Sequence, residues 1–179
     1  MRDWNVVVSV YQEGFRRVLK ALRQLAPTER SDYYKVLIMK TDDPPALLSA
    51  IERKTEENTA LYDGISRVAP ATRSFEFHSG EDFVEKAKQI VVEWSARLAG
   101  RSFHVRLHRR GEKCDLGTQD TERLFDDAVV DATAKAGIPA KVSFTDPDAV
   151  IAIDTIDDRA GLGLWTREDL ARHRLLRPA

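Results

Sequence analysis

His104, Arg106 and His108 alternate with Phe103, Val105 and Leu107, and Arg109-Arg110-Gly111 follows directly. A period of two is that of a β-strand, here with one apolar and one cationic face. Histidines four apart share a zinc ion when they stand on a helix. On a strand they lie roughly 13 Å apart, at about 3.3 Å per residue, and cannot. What this strand offers is arginine, which grips phosphate through paired N–H bonds and stacks on exposed bases. A further cationic row, Arg16, Arg17, Lys20 and Arg23, falls on one side of a helical segment, and Lys141 opens a later strand.

Other chemistry is less well served. Asp126, Asp127 and Asp131, and Asp146, Asp148, Asp154, Asp157 and Asp158, are of the type that holds magnesium in a phosphodiesterase. Their spacing suits other roles: the first three stand opposite the apolar stripe of a helix, Asp146 and Asp148 flank a turn proline, and Asp157-Asp158 end a strand. Gly161-Leu162-Gly163 lacks the third glycine and the Lys-Ser/Thr of a phosphate loop. Cys114 is the single cysteine, with no indicated base beside it; it excludes an internal disulfide and fits a reducing compartment. No catalytic residue, metal or cofactor is therefore expected.

The elements that position these residues follow from periodicity. Trp4 to Val10 reads as a strand, and Phe15, Val18, Leu19, Leu22 and Leu25 as one buried helical stripe stopped by Pro27. Tyr33 to Met39 is a strand, Asp42-Asp43-Pro44-Pro45 a helix start, and Ile65 to Val68 a strand. Ser79 caps a long amphipathic helix that ends at Gly100. A second long helix runs from Thr118 to Gly137, with Leu124, Phe125, Ala128, Val129, Ala132 and Ala136 inward. Lys141 to Phe144 and the almost wholly apolar Ala149 to Asp154 are strands, the latter buried on both faces. Gly161 to Trp165 is a candidate last strand. The class is α/β (α+β), helices packed on sheet.

With 179 residues, 42% hydrophobic and 32% charged, the chain can bury a core as one large domain or two small ones. Its net charge of −1 conceals polarity: residues 101 to 113 carry five basic side chains against one acidic, and residues 118 to 158 ten acidic against three basic. Residues 159 to 179 are basic again, a pattern compatible with an oriented binding face. No run of 18 apolar residues is present and the first residues lack a signal-peptide pattern, so no membrane association and a cytoplasmic location are expected.

Phe103 to Gly111, the Thr118 to Gly137 helix, Lys141-Val142 and Pro147-Asp148-Ala149-Val150-Ile151 together resemble the THUMP domain. Ile65 to Pro70 and Phe83 to Val92 resemble that family's opening strand and helix, so the likeness spans about residues 60 to 156. The first part resembles the ferredoxin-like domain that commonly precedes THUMP. The implied domains are 1–72, ferredoxin-like, and 73–179, THUMP.

The resemblance implies binding of RNA, usually the acceptor end of tRNA, through both parts. The residues expected to touch it are His104, Arg106, Arg109, Arg110 and Lys141, with Arg16, Arg17, Lys20 and Arg23. About twenty residues follow position 156, and the expectation drawn is a non-catalytic, stand-alone THUMP protein. It would present tRNA to a separate modifying enzyme, as the adaptor of an RNA cytidine acetyltransferase does. A small metal-dependent hydrolase and a protein-interaction module stay open as alternatives. Replacing Arg109 and Arg110 is expected to weaken RNA binding and leave folding nearly untouched.

Overall fold

The β-branched run Val6–Val10 forms strand β1, whose four valines are fully buried. In the computed structural model, which describes residues 1–113 and 116–178, β1 is followed by helix α1 (Phe15–Leu22), β2 (Thr28–Arg30), β3 (Val36–Met39), α2 (Pro44–Glu57), α3 (Thr59–Gly64) and β4 (Ile65–Pro70). The strands join in the order β2-β3-β1-β4, antiparallel throughout. This is the β-α-β-β-α-β order of a split-βαβ unit, with α3 added. Asp43 starts α2 by accepting from Ala46 N at 3.0 Å, and Pro44-Pro45 supply the fixed φ of a first turn. The short strand β2 has no apolar alternation, and only its pairing with β3 makes it a strand.

Gly14 and Gly64 allow the α1 entry to lie against the end of α3. A Cβ on Gly14 would stand 2.6 Å from Gly64 Cα.

Residues 1–72 form one compact unit together with the segment from residue 170 onward, and residues 73–169 form the other. The tail, assigned from sequence to the second part, packs in the first because its apolar pair Leu175-Leu176 is buried there. Val68 N donates to Leu175 O at 2.7 Å, and His173 Nδ1 hydrogen-bonds Glu52 at 2.7 Å.

The second unit runs β5 (Arg73–Glu76), α4 (Gly80–Glu93), β6 (Ser102–His108), α5 (Thr118–Lys135), β7 (Lys141–Val142), β8 (Ala149–Ile156) and β9 (Arg159–Thr166), and the chain continues into α6 (Arg167–Arg172). Sheet order is β5-β9-β8-β6-β7; β6 runs parallel to β7 and β8, and β8-β9 is a hairpin. All eight residues of β8 are buried, which explains the apolar run Ala149 to Ile153, and the strand also buries Asp154 and Thr155. Phe83, Phe103, Phe125, Val129 and Ile151 meet in the core between sheet and helices. Gly161 and Gly163 belong to β9: the Trp165 indole lies where a Gly163 Cβ would stand, at 2.8 Å. Gly163 thus makes room for an indole ring within a strand. Among the described residues no helix is long and apolar enough to cross a membrane.

Candidate nucleic-acid interface

Strand β7 pairs with only the first two residues of β6, Ser102 and Phe103. Farther along, the β6 edge needs acceptors, and α5 provides them: Asp126 accepts from Val105 N at 2.9 Å and Glu122 from Leu107 N at 2.8 Å. One helical turn, about 5.4 Å, is close to the roughly 6.6 Å between alternate strand residues, so carboxylates at i and i+4 meet N–H groups at j and j+2. This turns α5 from its expected orientation. Thr121, Glu122 and Asp126 are buried with Phe125 and Val129, whereas Leu124 and Ala136 face solvent. Asp126, expected on the solvated side, is 4% exposed. Burial first, and the neighbouring Glu122 charge after it, push its carboxyl up to about 7.

The same contacts change the character of the β6 cations. His104 is buried; its Nδ1 hydrogen-bonds Ser143 O at 2.9 Å and its ring lies 5.5 Å from that of Phe144. Desolvation lowers its pKa, so the ring is neutral at pH 7. Alternation placed His104 on an open face, but that face is covered. Arg106 is half-buried with Nη1 3.9 Å from Glu122, and among the described residues its buried Nε has no hydrogen-bond partner. Arg110 meets Asp154 at 3.3 Å with both side chains largely buried. Arg109 is exposed and donates through Nη1 to Leu116 O. Lys113 pairs with Asp158 at 3.1 Å, and Arg167 with Asp146 and Asp148 at 3.2 and 3.3 Å. The basic and acidic stretches of the sequence thus neutralise one another at many points. Lys141 is exposed on the edge strand β7. Cys114 lies outside the described residues, and among those described no three His, Cys, Asp or Glu side chains are placed to hold a metal ion.

The first unit is different. Arg16, Arg17, Lys20 and Arg23 are exposed on α1 and its C-terminal turn, while Val18, Leu19 and Leu22 face the sheet. Arg16, Lys20 and Arg23 line a depression of about 580 Å³ with Arg30 from β2, and no acid lines it. Arg23 Nε donates to Thr28 O at 3.3 Å, and the Arg30 guanidinium lies 4.8 Å from the centre of the Phe15 ring. Arg17 turns to Ala60 O at 3.2 Å. Among the described residues, none of these five cations is within ion-pair distance of a carboxylate. Sequence reading found the α1 row but missed Arg30, because β2 carries no periodic signal.

Comparison with known proteins places this geometry. The sequence profile of the THUMP domain matches residues 78–164. Curated relatives are a tRNA sulfurtransferase from Shewanella pealeana and one from Shewanella halifaxensis, each 29% identical over 147 residues. The aligned region covers 82% of this chain but 28% of those relatives. Among solved structures, PH1313 from Pyrococcus horikoshii superposes with a TM-score of 0.64 at 14% identity, over 89% of this chain and 53% of the other. TrmN from Thermus thermophilus gives 0.59 at 17%, over 90% and 44%. A 4-thiouridine synthetase in complex with RNA and ATP gives 0.55 at 13%, over 90% and 41%. At these identities the structural likeness speaks to the fold. The curated relatives correct the expectation of a non-catalytic protein, since they are named as enzymes. That expectation rested on the few residues after position 156, and chain length is no guide where the alignment covers a fraction of the relative.

Proposed function

We propose that the protein binds tRNA in the service of an enzymatic tRNA modification, with sulfur transfer the reaction suggested by its curated relatives and residues 78–164 matching the THUMP domain. The THUMP match, which falls within the compact unit 73–169, carries the reading. The ferredoxin-like first unit supports it with cations that, among the described residues, no carboxylate neutralises, the electrostatic requirement for gripping a phosphate backbone. Arg109 and Lys141 on the second unit, and Arg16, Arg17, Lys20 and Arg23 on the first, are the proposed phosphate contacts. Of the other residues expected at the interface, Arg110 ties the end of β6 to Asp154 of β8, His104 packs on Ser143 and Phe144, and Arg106 turns toward Glu122 of α5, so none of the three is a proposed phosphate contact. The acceptor end of tRNA is the proposed target.

The test has two arms. The full chain is titrated with tRNA at several salt concentrations, beside a DNA duplex of similar charge. Nucleosides from tRNA of cells with and without the gene are then compared by mass spectrometry. Tight, salt-dependent tRNA binding and loss of a modified nucleoside are expected. Unchanged nucleosides would overturn the role in modification, and preference for the DNA duplex would overturn tRNA as the ligand.

A further inference from the structure

The β2–β3 hairpin loop adds an aromatic element to the α1 cations. Phe15, Arg30, Asp32, Tyr33, Tyr34 and Lys35 help to line a second depression, about 400 Å³, in the first unit. Arg30 lies on the wall of both depressions, and the Phe15 ring beneath its guanidinium orders it. The loop is braced from within: Ser31 Oγ accepts from Tyr33 N at 3.2 Å and donates to Val36 O at 2.9 Å. Lys35 takes a left-handed φ of 61° to turn the chain, and its Nζ lies 4.9 Å from the centre of the Tyr34 ring. Tyr34 nevertheless stands 72% exposed. A large ring held out on a braced loop, beside cations with no acidic partner among the described residues, loses apolar burial unless something stacks on it.

We propose that these two depressions hold one unpaired nucleotide of the bound RNA, its phosphate in the Arg16, Lys20, Arg23 and Arg30 hollow and its base on the Tyr34 ring. The proposal rests on the RNA-binding reading above and deepens it. The division of labour follows from charge: Asp32 repels a phosphate from the aromatic hollow and can accept from a base N–H, while the α1 hollow has no acid. Arg23 and Arg30 are each fixed at one point, by Thr28 O and by Phe15, which leaves guanidinium N–H groups to fork onto an anion. A paired helix offers phosphates but no base face, so the tyrosine selects a single-stranded segment.

Fluorescence anisotropy of the full chain with three probes tests this: tRNA, a short single-stranded RNA, and a blunt RNA duplex with the same number of phosphates. Tyr34→Ala is expected to weaken single-stranded binding about five- to hundredfold, the range for loss of one stacked base, with duplex binding unchanged. Tyr34→Phe keeps the ring and should retain the wild-type affinity. Arg30→Gln should weaken both probes and reduce the salt slope by about 0.7 to 0.9. Thermal melts should coincide, because Tyr34 is exposed. If tRNA binds the wild type and Tyr34→Ala is unaffected on single strands, or weakens duplex and single strand alike, the nucleotide site is overturned and tRNA binding stands. A wild type that binds none of the probes overturns both.

Discussion

The segment Arg106 to Arg110, at the end of β6 and just beyond it, and helix α1 each carry a row of three cations, yet the first row is largely occupied within the fold and the other is open. In and just after β6 the fold brings carboxylates to two of the arginines: Glu122 from α5 near Arg106, and Asp154 from β8 against Arg110. Helix α1 packs its apolar side on a sheet and turns its cations away, and the charge that shares the hollow of Arg16, Lys20 and Arg23 is another cation, Arg30. A cation is available to an anionic ligand only where the tertiary structure brings no acid. The partners here lie 16 residues away for Arg106 and 44 for Arg110, so availability is a property of topology.

The largest effect expected from breaking this contrast concerns the acids beneath β6. Asp126 has its pKa raised from 3.8 to about 7 in the fold. Between those values the unfolded chain gives up a proton that the folded chain keeps, so stability falls as pH rises from about 4 and levels above 7. At about 1.36 kcal/mol per unit the loss comes to roughly 4 kcal/mol. Asp126→Asn keeps an oxygen for Val105 N and removes the charge. Urea titrations from pH 4 to 8 should show the decline flattened and the variant more stable than wild type at pH 8. A variant less stable there would mean that the ionised carboxylate is what β6 needs.

Next in size is Arg110→Ala, which leaves Asp154, 3% exposed, without its guanidinium. Breaking a buried pair by removing one partner costs about 3 kcal/mol or more. This revises the sequence expectation that replacing Arg109 and Arg110 leaves folding untouched. Thermal melts of the two single variants separate them: Arg110→Ala should melt far lower, and Arg109→Ala, whose side chain is exposed, close to wild type. Coincident melts would return Arg110 to the surface.

The open row gives the complementary result. Removing Arg16, Lys20 and Arg23 together should cost about 2 kcal/mol of tRNA binding and lower the salt slope by about 2 to 3 units, roughly one per phosphate contact. Stability should change by no more than about 1 kcal/mol, as for exposed substitutions. A slope that stays at the wild-type value would show that this row faces something other than RNA.

What was legible in the sequence follows the same division between local and distant causes. The amphipathic stripes of α1 and α4, the caps at Asp43 and Ser79 and the doubly buried β8 are written in neighbouring residues, and they formed as expected. The orientation of α5 was not legible, because two of its inward residues are acids whose acceptor role depends on how short β7 is. His104 read as an open strand position for the same reason: what covers it, Ser143 and Phe144, comes from a loop 39 and 40 residues on. Arg30 was missed because a three-residue edge strand carries no period.

The smallest effect sharpens the comparison most, since it concerns a β6 arginine that should matter little in either role. Arg106 is 3.9 Å from Glu122, beyond a strong ion pair, and about one third exposed. Partly exposed pairs contribute about 0 to 1 kcal/mol. Against that stands its buried Nε, without a partner among the described residues, a desolvated donor that subtracts from stability. Glu122 meanwhile keeps its bond to Leu107 N whatever occupies position 106. Arg106→Met preserves the apolar stem, removes the unsatisfied donor and forfeits the weak pair, so the net change in unfolding free energy should lie within about 1 kcal/mol of zero. The tRNA salt slope should not move, because the guanidinium is turned to α5. A slope lower by a full unit would place Arg106 on a phosphate and erase the distinction between the two rows, whereas destabilisation beyond 2 kcal/mol, on the order of a broken buried pair, would show that Glu122 depends on it.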